Sequence, residues 1–334
     1  MRAVVFPRPG AFEVADVPRP EPGPGQVLVR VRACMICATD KKILDGRFAG
    51  TRFPIVPGHE MAGEVVGTDR RVGVEVHVGC GTCDRCREGL YNLCLNYGRR
   101  ETGHAHIGFT IDGGLAEYAA IPASALHDLP AHVSFEEGAW TDNLGVALWA
   151  LERGRIAAGD RVVVIGPGAI GLCASQLARA LGAACVTLVG HAGARLERAR
   201  PFADEVLDEA QVEARAGTAD LVVEFAGTAQ AARDALRLAR RGGRVVLGGA
   251  TGQGVELSGV DLSTIVRGHL DVMGSVANPK GVSGRALTVL ARGGVDVRPL
   301  ITHRFPLDRF ADAWATFLER RDGAIRVMLL PGEN

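Results

Sequence analysis

Apolar and polar positions follow two different rhythms along this chain. Short β-type runs, Arg2 to Phe6 and Val27 to Ala33, flank the turn-rich Pro18-Arg-Pro-Glu-Pro-Gly-Pro-Gly25. Brief β-branched runs bounded by Gly and Pro predict strands, so the opening is β-rich. β character resumes over Gly113 to Pro122, and residues 136–153 predict a helix. The rhythm then changes. Val162 to Ile165 predicts a strand, Leu172 to Leu181 a helix and Cys185 to Val189 a strand. Next come a strand (Asp220 to Phe225), a helix (Gln230 to Arg240) and two strands (Gly243 to Gly248, Leu270 to Val276). Strands alternating with helices predict a parallel sheet that binds ligands at its carboxyl edge. From about Val282 a helix, the run Leu300 to Phe305, a helix over Leu307 to Arg320 and the apolar Ile325 to Leu330 close the chain.

The two rhythms meet at Arg161-Val-Val-Val-Ile-Gly-Pro-Gly-Ala-Ile-Gly171. A buried strand runs into G-x-G-x-x-G (Gly166, Gly168, Gly171) and then into a helix, which is the dinucleotide fingerprint in its proper context. Gly166 allows the tight turn, Gly168 lets backbone approach a pyrophosphate, and Gly171 lets helix and strand pack closely. Ala169 and Ile170 open the helix whose N-terminus faces the phosphates. Ala226, Gly248 and Ser275, which follow the later strands, are further candidates for cofactor contact at the same sheet edge.

Composition narrows the class. The 334 residues, 47% of them hydrophobic, suffice for two cores. Lys+Arg and Asp+Glu are both 38, so no long-range field draws nucleic acid or an anionic membrane surface. No segment reaches eighteen uninterrupted apolar residues, and Met1-Arg-Ala-Val-Val-Phe-Pro carries no hydrophobic signal region, so a cytoplasmic protein is expected.

Four of the eight cysteines are crowded into Cys80-x-x-Cys83-x-x-Cys86-x7-Cys94. Four thiolates at this spacing close a tetrahedron around Zn2+ and leave no open position, so their expected role is structural, holding the polar stretch Gly79 to Asn96 together. Two disulfides would conflict with a cytoplasmic chain. Cys34, flanked by apolar residues, reads as a buried small side chain and not as half of a redox pair with Cys37.

Taken together, Cys37-x-Thr39-Asp40, Gly58-His59-Glu60, the four-cysteine stretch, Gly114-Leu-Ala-Glu117-Tyr118, the glycine turn and Ile301-Thr-His-Arg-Phe-Pro-Leu307 resemble the zinc-containing medium-chain alcohol dehydrogenase family, with its threonine, sorbitol and secondary-alcohol dehydrogenases. The resemblance covers essentially the whole chain. It implies an α/β fold with a chaperonin-10-like (GroES-like) catalytic domain over residues 1–145, carrying the zinc lobe at 79–96. A Rossmann domain would follow over 146–280, and 281–334 would return to the catalytic domain. It also implies two zinc ions per subunit. One, catalytic, would be held by Cys37, His59 and a third ligand from the segment before the Rossmann domain, where Asp142 stands; Glu60 competes for that place. Asp40 would fix the His59 tautomer, and Thr39 would pass on the proton of a zinc-bound substrate alcohol.

The ribose-reading position after Val189 holds Gly190, where an NAD enzyme of this fold needs Asp or Glu. His191 and Arg195 follow, so NADP(H) is expected in preference to NAD(H). Polar Lys42, Arg47 and Asn143 near the presumed mouth point to a hydroxylated small-molecule substrate such as a polyol, sugar or aminocyclitol. The strand Leu270 to Val276 would be an apolar edge in a monomer, so a homodimer or homotetramer is expected. A zinc-free quinone or enoyl reductase would leave Cys37, His59 and the four-cysteine stretch unexplained, and a regulator without turnover would have no chemical reason to keep Cys37, Thr39, Asp40 and His59.

Overall fold

The structure, a computed structural model, describes residues 1–48, 50–250 and 254–332. In chain order its strands are β1 (Arg2–Arg8), β2 (Ala11–Asp16), β3 (Gln26–Met35), β4 (Glu60–Val65), β5 (Arg71–Val74), β6 (His77–Val78), β7 (Ala105–His106), β8 (Tyr118–Pro122) and β9 (Leu126–Asp128), followed by β10 (Arg161–Ile165), β11 (Cys185–Gly190), β12 (Glu205–Asp208), β13 (Ala219–Glu224), β14 (Ala239–Leu247), β15 (Asp271–Gly274), β16 (Ile301–Pro306) and β17 (Arg326–Leu330). The α-helices are α1 (Ala38–Leu44), α2 (Asp84–Arg87), α3 (Phe135–Gly138), α4 (Thr141–Arg153), α5 (Ala169–Ala180), α6 (Ala194–Ala199), α7 (Ala229–Leu238), α8 (Leu262–Gly268), α9 (Val282–Ala291) and α10 (Phe310–Glu319).

The chain divides into two compact units, Met1–Gly145 with Asn278–Ala291 and Val297–Asn334, and Val146–Ala277 with Arg292–Asp296. In the first unit a sheet of order β16-β17-β3-β4-β5-β9, with β8 also on β3, joins strands from both ends of the chain. Antiparallel pairing sets Met35 of β3 opposite Glu60 of β4 and opposite Met328 of β17. Cys37, just beyond β3, therefore meets His59, just before β4, beside the start of β17. Phe6, Phe310 and Trp314 pack ring against ring under this sheet, with Phe310 and Trp314 stacked at 5.6 Å.

The second unit is a six-stranded parallel sheet of order β12-β11-β10-β13-β14-β15. β10 is buried from Val162 onward, as a strand covered on both faces must be. The strand order reverses at β10, which places the turn after Ile165 in the crevice where doubly wound sheets bind ligands. The far edge, β15, is mostly exposed, and Leu262 and Val266 of α8 are open to solvent. No helix among the described residues is long and apolar enough to cross a membrane.

Three local features differ from the sequence expectation. The helix over 136–153 is two helices: the Thr141 hydroxyl donates to the Gly138 carbonyl at 2.6 Å and α4 starts afresh. The helix expected to reach Arg240 stops at Leu238: Ala239 turns extended and pairs with Ala219 of β13, so sheet pairing overrides helix propensity. β12, too short and charged to be seen in the sequence, is a strand because Glu205 to Asp208 pair in register with Thr187 to Gly190.

Candidate active site

The four lobe cysteines are free thiols whose sulfurs all lie within 4.8 Å of one another. Cys80 and Cys86 stand 3.9 Å apart and Cys83 and Cys94 4.0 Å apart. Four sulfurs each about 2.3 Å from one ion would be separated by about 3.8 Å, so the set fits a tetrahedral Zn2+. The Thr82 hydroxyl, the Cys83 N–H and the Asn96 amide each donate to the Cys80 sulfur at 3.4 Å. These donors, Thr82 first, bring the Cys80 thiol down to about 5, the direction a thiolate ligand needs, whereas burial pushes Cys86 up to about 12.

The second group is built at the end of β3. Cys37 caps α1: its N–H donates to Asp40 Oδ2 at 2.8 Å, and its sulfur lies 3.7 Å from the Thr39 hydroxyl. The ligand atoms of Cys37, His59 and Glu60 all fall within 4.8 Å of one another. His59 turns Nδ1 toward Asp40 Oδ1 at 3.4 Å, while Nε2 is 3.9 Å from Glu60 Oε1. Glu60 Oε1 accepts from Asn143 at 2.9 Å and from Arg326 at 3.0 Å. Asp142 is buried beside this group but outside the mutual 4.8 Å set.

Among the described residues, Glu60 Oε2 and Asp142 Oδ1 are buried without a hydrogen-bond partner, and Asp40 Oδ1 and His59 Nδ1 have only each other at 3.4 Å. Two carboxylate oxygens left unsatisfied in one buried cluster lack a donor or a cation. Burial pushes the His59 imidazole down, but Asp40 and Cys37 more than offset this and hold it well above its ordinary value. Burial raises the Asp142 carboxyl to about 7, opposed by His59 and helped by Glu60. A divalent cation answers both conditions. One thiolate, one imidazole and one carboxylate fit zinc with a position left open.

In the second unit the phosphate turn follows β10 as the sequence predicts. Gly166 has φ of 108°. A Cβ at Gly171 would stand 2.0 Å from the Gly166 carbonyl oxygen, so α5 packs on the turn at a distance only glycine allows. Space over Gly168 is open, the nearest atom to a Cβ there being Arg195 Nη2 at 3.6 Å. Gly190 ends β11, and Ala226 lies against Gly166. The Gly248 N–H donates to the Glu224 carbonyl at 2.8 Å; Ser275 follows β15, with its hydroxyl oxygen buried and without a partner among the described residues. Glu224 orders its own turn by accepting the Gly227 N–H at 2.6 Å. His191 is 84% exposed and its Nδ1 sits 2.9 Å from Glu209.

Residues 23–131 match the alcohol dehydrogenase GroES-like domain, and residues 169–292 match the zinc-binding dehydrogenase domain. An L-threonine 3-dehydrogenase of Saccharopolyspora erythraea is 33% identical over 97% of this chain and 98% of its own length. The chain belongs to the zinc-containing medium-chain alcohol dehydrogenase family. It is an oxidoreductase of the zinc alcohol dehydrogenase type, with a GroES-like and a Rossmann unit. A sorbitol dehydrogenase of Gallus gallus is 31% identical, covering 98% of this chain and 95% of the relative. Among solved structures, a zinc-binding dehydrogenase from Sinorhizobium meliloti bound to NADP superposes with a TM-score of 0.91 at 32% identity, covering 99% of each chain.

Within this family frame, Arg326 is the residue that sequence reasoning missed. It lies in the apolar run Ile325 to Leu330, is 6% exposed, donates to Glu60 and to the Ile36 carbonyl at 3.2 Å, and lies over the Trp140 ring at 5.6 Å. A lone cation inside an apolar strand was the available signal, since such a charge needs a buried partner.

Proposed function

We propose that this dehydrogenase transfers hydride between NADP(H) and a secondary alcohol or ketone, with a hydroxylated substrate such as a polyol, sugar or aminocyclitol. The carrying observation is the cation-deficient cluster of Cys37, His59 and Glu60, with the buried Asp142 beside it. Cys37, His59 and either Asp142 or Glu60 would hold the catalytic zinc, and Cys80, Cys83, Cys86 and Cys94 the structural one, two ions per subunit. When bound, zinc supplies a Lewis acid for the substrate oxygen and the nicotinamide supplies or takes the hydride. Thr39 places its hydroxyl beside the Cys37 sulfur, where it can take the proton of a substrate hydroxyl and hand it on. Asp40 holds Cys37 through its N–H and faces His59 Nδ1, so it positions two ligands at once.

For the cofactor, Gly190 presents no carboxylate to a 2'-phosphate, and the Arg195 guanidinium lies over the turn at Gly168. The His191–Glu209 pair favours the second reading, an NAD-dependent polyol or threonine-type enzyme, because it places a carboxylate near the same strand end. Lys42 supports a polar substrate, Asn143 being buried and committed to Glu60, and the sorbitol and threonine dehydrogenases among the relatives agree with that class. A dimer through the β15 edge, alone or doubled to a tetramer, is part of the same reading.

Zinc content per subunit, measured beside NADPH and NADH titrations on wild type and Asp142→Ala, tests these assignments. Two zincs falling to one in the variant, with NADPH bound more tightly than NADH, is the expected result. Two zincs retained in the variant would give the third ligand to Glu60. One zinc in wild type would overturn the catalytic metal.

A further inference from the structure

The residue at the strand end that reads the ribose is glycine for a reason that lies outside that strand. Gly190 is not among the positive-φ residues, so its backbone conformation does not demand glycine. Space does. A Cβ at position 190 would stand 2.6 Å from both Cγ and Cδ of Pro167 and 3.2 Å from Leu196 Cδ1. The leucine methyl is the end of a flexible side chain and can give way. A proline ring cannot, because it closes on its own backbone nitrogen and has no rotor with which to withdraw.

Sheet register creates the contact. Ile165 pairs with Val189, and the Gly166 N–H donates to the Val189 carbonyl at 2.8 Å. The next residue of the turn, Pro167, then falls across the next residue of β11, Gly190. The ring fills the volume from which a carboxylate would have to grow to reach the two ribose hydroxyls.

We infer that Pro167 and Gly190 form a steric lock that bars an NAD-type carboxylate from the end of β11 and so holds the turn to the phosphorylated cofactor. The inference rests on the NADP(H) reading above for its direction and on the contact distances for its existence. Pro167 is the specificity-determining residue of the pair, since it decides whether position 190 can carry any side chain. The chemical class selected is a dinucleotide with a 2'-phosphate, for which Arg195 supplies the planar guanidinium that pairs with phosphate oxygens.

The test is a cycle on the full-length, zinc-loaded enzyme with Gly190→Ala, Gly190→Asp, Pro167→Ala and the two doubles. Thermal unfolding and fluorescence titration with NADPH and NADH are the readouts. Each Gly190 variant alone should lower Tm by roughly 3–10 °C, as overpacking of a buried contact does. In the Pro167→Ala background, which lacks both offending atoms, most of that loss should vanish. Pro167→Ala/Gly190→Asp should move the NADPH:NADH ratio of Kd values toward NADH by at least about tenfold relative to Pro167→Ala alone. Should Gly190→Asp fail to fold, the alanine pair carries the steric comparison and the double carries the cofactor one.

Equal Tm losses in both backgrounds would overturn the lock. So would a Gly190→Asp single variant that keeps its Tm and gains NADH. A rescued Tm without any gain for NADH would overturn the specificity role. Wild type that binds NADH more tightly than NADPH would instead overturn the NADP(H) reading, and the Tm cycle would still decide the steric contact on its own.

Discussion

Glu60 is a buried carboxylate whose Oε1 takes two donors, Asn143 and Arg326, while its Oε2 has none. Truncating the cation leaves that charge uncompensated, and breaking a buried pair from one side costs about 3–5 kcal/mol. Arg326→Met should therefore lower Tm by several degrees and, with a zinc held at Cys37 and His59 as proposed, loosen that ion, as calorimetry and zinc analysis of the same sample would show. A second case lies at His77, which is buried against His106 with ring centroids 3.9 Å apart. Burial first, then the charges of His104 and His59, lower its pKa from the ordinary 6.5 to about 3. The folded protein therefore binds fewer protons than the unfolded chain below pH 6.5. Its stability is complete above that value and is lost as pH falls toward 3, at up to about 1.4 kcal/mol per unit. His77→Phe should lose less Tm than wild type between pH 7.5 and 5, compared by unfolding at each pH.

At the scale of elements, two devices with different physics organise the chain. The lobe around α2 consists mostly of exposed and half-buried residues and brings four sulfurs together where a core would otherwise lie, so a metal held there would supply its order. Cys94→Ala should release one zinc per subunit and open residues 79–96 to limited proteolysis, while the parallel sheet keeps its protection. Intact lobe peptides in that digest would show that packing alone holds it. The β10–α5 junction depends instead on close approach, because α5 touches the turn where Gly171 meets the Gly166 carbonyl. That junction was legible from three glycines after a β-branched run. The break between α3 and α4 was not, since it turns on one hydroxyl reaching a carbonyl three residues back.

At the scale of the whole molecule, one unit is assembled from both ends of the chain, with β17 lying beside β3 across nearly three hundred residues of sequence. The other unit ends in β15, a strand with one edge unpaired among the described residues, and Leu262 and Val266 of α8 are exposed. Open apolar edges invite pairing with another chain. Light scattering at micromolar concentration should give the mass of two or four subunits, and Val272→Lys, a charge on that edge, should shift it downward. A wild-type mass of one subunit would exclude the assembly.

What is local and periodic was legible in the sequence: the parallel βα alternation, the glycine turn and the four-cysteine spacing; the pairing of Cys37-x-Thr39-Asp40 with Gly58-His59-Glu60 came from the family resemblance. Those signals survive in one dimension because the residues concerned are neighbours or obey a fixed period. Tertiary structure alone decided which atoms share a site. It brought Arg326 and Asn143 onto Glu60, left Asp142 buried without a partner on Oδ1, and set Pro167 against Gly190. Strand register makes those contacts, and register is fixed by pairing between segments that no local pattern relates.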